Sequence, residues 1–244
     1  MTDPELRRLG RALPDSGLDG ARRLAHAKLR AGGPDYECVG FEPRAPRDTN
    51  GSQKQLFTYD QSLTSLRNRR HDRHPRPAEA FGLLIANLEG TLHNTPLQPI
   101  ADDMLNTYGE WLSMAWERQS DTLLAHTDPE GLTWNPFTHA YVRNNFTCTE
   151  THTFTITRKP STTRIDLQEF NEHFTTLHYG KPFNKLPKPL REGPQKAQVL
   201  LPPDGTVWPV GRGSFNDLYG INGHNAYLRA SRGAVTPQKN FHKK

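Results

Sequence analysis

Two histidines and a glutamate in one short stretch carry side chains suited to acid–base chemistry: His139, Glu150 and His152. Between them lies Asn144-Asn145, and asparagine tolerates the positive φ that a two-residue hairpin turn requires. Such a turn places His139 opposite Glu150, with His152 two residues farther along the same face. A carboxylate beside an imidazole suits general acid–base catalysis. If the chain is an enzyme, we therefore predict that these three residues form its catalytic site.

Cys148 shares this predicted face, so the stretch also contains the residue types that bind metal ions. No CxxC or HExxH spacing accompanies them. Ordinary cross-strand polar pairs, or a face packed against a helix, would produce the same pattern. We predict no metal and no cofactor.

The predicted hairpin joins strands at Phe137–Arg143 and Phe146–Thr157, and the second strand has a threonine at every odd position. Because successive side chains of a strand point to opposite faces, these threonines should share one face. Threonine is common on solvent-facing strands, and its hydroxyl can also contact phosphates or sugars. The threonines are Thr147, Thr149, Thr151, Thr153, Thr155 and Thr157.

Two basic segments have the composition of nucleic-acid contacts. The first, within residues 67–77, comprises Arg67, Arg69, Arg70, Arg73 and Arg76, with His71 and His74 among them. The second, within residues 180–196, comprises Lys181, Lys185, Lys188, Arg191 and Lys196 among prolines. Guanidinium groups pair bidentately with phosphate, and short Arg-rich runs are candidate nucleic-acid patches. A solvated linker has the same composition, so the two interpretations remain open.

The charge is distributed unevenly along the 244 residues. Residues 1–80 contain 15 Lys/Arg and 11 Asp/Glu, residues 81–150 contain 2 and 9, and residues 151–244 contain 14 and 6. Positive ends around a negative middle indicate polyanion binding or assembly through opposite charges. Two cysteines cannot form a disulfide framework, which predicts a cytoplasmic or other reducing compartment. The longest mainly apolar run, residues 80–88, is too short to span a membrane.

Apolar periodicity and turn signals together predict an α+β fold, with a helical N-terminal half, then an antiparallel hairpin or small sheet, a further helix and an extended basic C-terminal region. The predicted helices cover residues 4–31 (in two pieces), 78–92, 97–126 and 165–178. The predicted strands cover Tyr36–Phe41, the hairpin above, and a second hairpin of Gln198–Leu201 and Thr206–Val210. The chain divides into residues 1–77, 78–178 and 179–244, within one elaborated domain.

These features favour a non-catalytic nucleic-acid-binding or assembly protein, a component of a ribonucleoprotein, coat or defence complex, with RNA or DNA as its partner. One alternative is a metal-dependent nuclease that uses the histidine and glutamate site. The other is a structural subunit that assembles with copies of itself or with other proteins through opposite charge. No Walker loop, dinucleotide-binding fingerprint or nucleophile elbow is present.

Overall fold

The computed structural model confirms a mixed α+β fold. It describes residues 25–30, 36–42, 44–47, 50, 55–69, 71, 73–95, 97–105, 109–156, 164–192, 196–212, 217–220, 229–230 and 233–235. No helix in these ranges is both long and apolar enough to cross a membrane. The three-part division of the chain stays a prediction.

Helices and strands alternate irregularly along the described ranges. The helices are α1 (Tyr59–Asn68), α2 (Pro77–Leu88), α3 (Gln98–Leu105), α4 (Glu172–Tyr179) and α5 (Lys188–Arg191). The strands of the first half are β1 (Ala25–Arg30), β2 (Tyr36–Phe41), β3 (Leu56–Phe57), β4 (Glu110–Gln119) and β5 (Thr122–Thr127). The later strands are β6 (Glu130–Asn135), β7 (Ala140–Thr147), β8 (Glu150–Thr155), β9 (Arg164–Asp166), β10 (Gln198–Leu200), β11 (Val207–Arg212), β12 (Asp217–Gly220), β13 (Arg229–Ala230) and β14 (Ala234–Val235).

A nine-stranded sheet forms the centre of the fold. Its order is β3-β13-β4-β11-β12-β10-β9; off this path, β5 pairs with β4 on the edge opposite β11, and β8 pairs with β5. The pairings are antiparallel except for β10 with β12 and β13 with β4. Strands β1, β2 and β14 form a separate three-stranded sheet, and β6 pairs with β7 in a ribbon.

The central strand β4 is covered on both faces. On one face Leu112, Met114 and Trp116 join the main core, to which helices α2, α3 and α4 contribute. On the other face Trp111 and Ala115 join a smaller cluster with residues of α1 and the β6–β7 ribbon. The predicted helix over 97–126 is therefore wrong from Glu110 onward, where the chain forms β4 and β5. A strand buried on both faces carries a nearly continuous apolar run, which fits helical spacing as readily as strand spacing.

The predicted hairpin around Asn144-Asn145 is also wrong. Strand β7 runs through both asparagines and pairs with β6, whereas β8 pairs with β5. The reverse turn lies at residues 136–139, where His139 has φ 49°. Asn145 does adopt a positive φ, of 54°, but within a bulge opposite Gly131. Its conformation was predicted correctly, and its role was not.

Other predicted elements have mixed outcomes. Helix α2 and strand β2 confirm the predictions over 78–92 and Tyr36–Phe41. Strands β10 and β11 exist, but they pair with other strands and so do not form the predicted hairpin. Only the second half of the helix predicted over 165–178 is α-helical, and the segment predicted as extended at 180–196 contains α5. The predicted helix over 4–31 is a strand at 25–30, and its remainder lies outside the described residues.

Candidate functional site

The arginines of the first basic segment pair with carboxylates of the protein itself. Arg73 forms a buried bidentate pair with Glu79, with both N–O distances 2.7 Å. Arg69 binds both carboxylate oxygens of Glu42 at 3.0 and 3.1 Å. These ion pairs tie the residue 67–77 segment to α2 and to the chain before β3.

The two remaining described arginines of that segment are paired as well. Arg76 binds both oxygens of Asp128 at 3.2 and 2.7 Å, and the exposed Arg67 lies 2.9 Å from Glu130. Arg70 lies outside the described residues. A guanidinium already held by a carboxylate must exchange that partner before it can bind a phosphate, so the segment is less available than its composition indicates.

The second basic segment is largely paired on the surface. Lys181 lies 3.0 Å from Glu89, and Lys196 lies 2.6 Å from Asp166. Lys188 and Arg191 both approach Glu192, at 3.8 and 3.4 Å. Lys185 is exposed, without an ion pair in the described part of the chain. Nucleic-acid binding through either segment stays a prediction.

The predicted catalytic residues are separated by the observed strand pairing. His139 lies in the exposed turn between β6 and β7, with its ring 6.2 Å from that of Trp134. Glu150 and His152 do meet, with Glu150 Oε2 3.3 Å from His152 Nε2. In β8 the threonines are exposed, as predicted. Over the described ranges, no three His, Cys, Asp or Glu side chains converge to hold a metal ion.

A different set of reactive side chains converges where β4, β5 and the turn before β8 meet. Glu117 of β4 opposes Leu124, and His126 of β5 opposes Ala115, so the two side chains are diagonal neighbours on one face. Glu117 Oε2 lies 3.2 Å from His126 Nε2. On the other side of the ring, Cys148 Sγ lies 3.9 Å from His126 Nδ1. We call Glu117, His126 and Cys148 the thiol triad.

The ionisation of the triad follows from its surroundings. Burial would raise the pKa of Glu117, but hydrogen bonds from Gln119, Arg143 and His126 outweigh this and hold that pKa below its usual range. Burial lowers the pKa of His126, although Glu117 opposes that shift. At neutral pH the carboxylate is therefore charged and the imidazole neutral.

The tautomer of His126 then follows from its partners. The charged carboxylate accepts a hydrogen bond from the proton on Nε2, which leaves the lone pair on Nδ1. That lone pair faces Thr151 Oγ1 at 2.9 Å as well as the thiol. Cys148 Sγ and Thr151 Oγ1 are themselves 3.3 Å apart. The thiol proton can thus reach Nδ1 directly or through the threonine hydroxyl.

Strand β7 places a cation and a ring beside the triad. Arg143 pairs with Glu117, and its side chain is 43% exposed. The Arg143 guanidinium carbon lies 5.1 Å from the ring centre of Phe146, whose ring meets His126 edge-on. Cys148 is half-buried. Cys148 is therefore less covered than its histidine, which is buried.

A serine–histidine pair elsewhere is enclosed. Ser62 Oγ lies 2.8 Å from His74 Nε2, but both side chains are fully buried, and the serine hydroxyl donates to the Tyr59 carbonyl at 2.5 Å. A nucleophile needs access to substrate and a free lone pair, so this pair serves packing.

The thiol triad was missed because its members come from separate strands. The sequence feature that could have predicted the contact is the turn at Ser120-Asp121, because a β4–β5 hairpin with that turn places Glu117 diagonally across from His126. The helix predicted over 97–126 concealed this turn. Comparison of the chain with protein-family profiles, curated protein sequences and solved structures finds no match in any of the three.

Proposed function

We propose that the protein is a thiol-dependent enzyme of the acyl-transfer or hydrolysis class, with Cys148 as nucleophile, His126 as base and Glu117 as the residue that orients the base. The observation that carries this proposal is the chain of contacts from Cys148 Sγ to His126 Nδ1, at 3.9 Å, and from His126 Nε2 to Glu117 Oε2, at 3.2 Å. A nucleophile next to a base that a third group orients is the common arrangement of such enzymes. Sulfur–nitrogen contacts are often long before substrate binds.

The residues would divide the reaction as follows. The Cys148 proton moves to His126 Nδ1, and the thiolate attacks a carbonyl carbon to form a C–S bond. The leaving group departs with the proton from Nδ1. Water, deprotonated by Nδ1, then attacks the thioester carbon; the C–S bond breaks to release the carboxylic acid, and the thiolate takes back the proton from Nδ1. Glu117 compensates the imidazolium charge in both steps.

Arg143 is a cation beside this site, and because it is paired with Glu117 it would have to exchange part of that contact to bind negative charge on a substrate. It is half exposed and shares Glu117 with His126. A preorganised positive group near the reacting carbonyl stabilises the oxyanion of the intermediate, or an anionic group of the substrate. A reducing compartment, which the cysteine content predicts, would keep Cys148 in its thiol form.

The test uses Cys38→Ser protein, in which Cys148 is the single thiol because the chain has two cysteines. Alkylation by iodoacetamide at pH 7 should be at least about tenfold faster than in a Cys38→Ser, His126→Ala variant, because the neutral His126 can take the thiol proton as the sulfur attacks. The advantage should fade above about pH 9, where thiols ionise without help. p-Nitrophenyl acetate should release a burst of about one equivalent of p-nitrophenol, as acyl-enzyme formation requires.

Two further variants separate catalysis from folding. Glu117→Gln preserves side-chain shape and should slow both reactions while the protein stays folded by circular dichroism. His93→Ala, which replaces an exposed histidine outside the thiol triad, should change neither the alkylation rate nor the burst. Equal alkylation rates with and without His126, together with the absence of a burst, would refute the proposal.

A further inference from the structure

On the opposite face of the same sheet edge, two imidazoles meet nitrogen to nitrogen. Thr151 faces His126, so the next residue of β8, His152, points to the other face of the sheet. There its Nδ1 lies 3.2 Å from Nε2 of His173, in the first turn of α4. We call His152 and His173 the imidazole pair.

The spacing of the pair fits a shared metal ion. Zinc and similar ions bind imidazole nitrogen at about 2.0–2.1 Å, so two nitrogens on one ion lie about 2.9 Å apart at a right angle and about 3.4 Å apart at the tetrahedral angle. The observed 3.2 Å lies between these values. Neutral imidazole suits copper, nickel and zinc, with copper bound most tightly among them.

The rings are held in place by their surroundings. Phe154 is buried in the main core, and its ring lies 6.5 Å from that of His152 and 5.4 Å from that of His173. His173 is exposed, which leaves the pair open to solvent on one side. The nearby His178 is not available as a third ligand, because both of its nitrogens bind protein groups, Trp116 Nε1 and the Phe174 carbonyl.

A carboxylate stands on the far side of the pair. Glu150 Oε2 lies 3.3 Å from His152 Nε2, although the two are not aligned as a hydrogen bond, and Nε2 is buried without another partner. Metal-binding histidines commonly give their second ring proton to such a carboxylate, which orients the ring. With the proton of His152 on Nε2, its Nδ1 lone pair is free for a metal. His173 supplies its own lone pair once its proton moves to the solvent-facing nitrogen.

We propose that the imidazole pair binds one divalent transition-metal ion, copper, nickel or zinc, through His152 Nδ1 and His173 Nε2, with water completing the coordination. The site is distinct from the thiol triad, since it uses other residues and the opposite face of the sheet. Across the described ranges no third protein ligand converges on it, so we expect an open, exchangeable site.

The experiment titrates CuCl2 and NiCl2 into Cys38→Ser, Cys148→Ser protein, which removes both thiols of the chain as competing ligands. We expect one equivalent to bind with an electron paramagnetic resonance spectrum of Cu2+ that shows two nitrogen ligands, and to raise the melting temperature. His152→Gln and His173→Gln should each lose one nitrogen from the spectrum. Glu150→Gln should weaken binding by about tenfold, the lower end of the usual effect of such a carboxylate.

The controls are exposed histidines outside the pair. His93→Gln and His139→Gln should leave the affinity and the two-nitrogen spectrum unchanged. If the Cys38→Ser, Cys148→Ser protein binds Cu2+ as tightly with His152→Gln and His173→Gln added as without them, the proposal is wrong and the contact is an imidazole–imidazole hydrogen bond. This result does not depend on whether Cys148 is a nucleophile.

Discussion

His178 should make the protein less stable as the pH falls below neutrality. The ring is fully buried, donates from Nδ1 to the Phe174 carbonyl at 2.8 Å, and accepts at Nε2 from Trp116 Nε1 at 3.0 Å. A proton on Nε2 would face the indole N–H and break that bond. Burial is the largest cause that lowers the pKa of His178, to about 3, against an ordinary value of 6.5.

The sign follows from proton uptake. Below pH 6.5 the unfolded chain binds a proton at His178 and the folded protein does not, so stability is full above 6.5 and declines toward pH 3. Each pH unit in that window lowers the free energy of unfolding by about 1.4 kcal/mol, so the loss between pH 6.5 and pH 5 is about 2 kcal/mol. His126 has the same sign, because its pKa is also lowered. Glu42, with a pKa of about 2 against 4.5, acts only below pH 4.5.

The assay is urea unfolding from pH 7 to pH 5, comparing the protein with His178→Gln. Glutamine can keep both hydrogen bonds through its amide, but it does not titrate. The variant should be less stable than the unaltered protein at pH 7. Because glutamine does not titrate, its free energy of unfolding should fall by about 2 kcal/mol less between pH 7 and pH 5. His93→Gln is the matched control and should show the slope of the unaltered protein. Parallel curves for the protein and for His178→Gln would refute the reasoning.

Three further predictions concern the ion pairs, the bulge and the basic surface. Glu79→Gln removes the carboxylate that pairs bidentately with the buried Arg73, leaving Asp128 at 4.0 Å, and should lower the free energy of unfolding in urea by about 3 kcal/mol. Gly131→Ala should lower the free energy of unfolding more than Gly205→Ala. Both glycines have positive φ, which costs an alanine about 1–2 kcal/mol, but of the two only Gly131 would place its new Cβ against a backbone oxygen of β7, at 2.3 Å. If the protein binds polynucleotide, as the sequence predicts, Lys185→Glu should weaken that binding and make it less dependent on salt concentration, as measured by filter binding. An unchanged salt dependence would exclude Lys185 from the binding site.

Local signals in the sequence determined several features. Helix α2 begins at Pro77, next to the helix predicted over 78–92, because proline suits the first helical turn. The alternating threonines of β8 predicted its exposed face. The cysteine count and charge pattern predicted a compartment and partners, which stay predictions. These features depend on neighbours in the chain, so the sequence alone carries them.

Strand pairing, by contrast, was decided by the tertiary structure. The apolar run from Trp111 to Trp116 satisfies helical spacing, but it lies between two layers that bury both of its faces. Asn145 has the positive φ of a turn, yet β6 continues alongside it because Gly131 admits the bulge. Neither outcome can be read from a window of a few residues, because each depends on the strand or layer that packs alongside.

The candidate site is the clearest case of this division. The side-chain types of Glu117, His126 and Cys148 are visible in the sequence, but their convergence requires β5 to pair with β4 on one edge and with β8 on the other. The same pairing places His139 elsewhere and brings His152 to His173. Which residues can do chemistry is a property of the sequence. Which of them meet depends on sheet register, and a shift of one residue would turn every side chain of β8 to the opposite face.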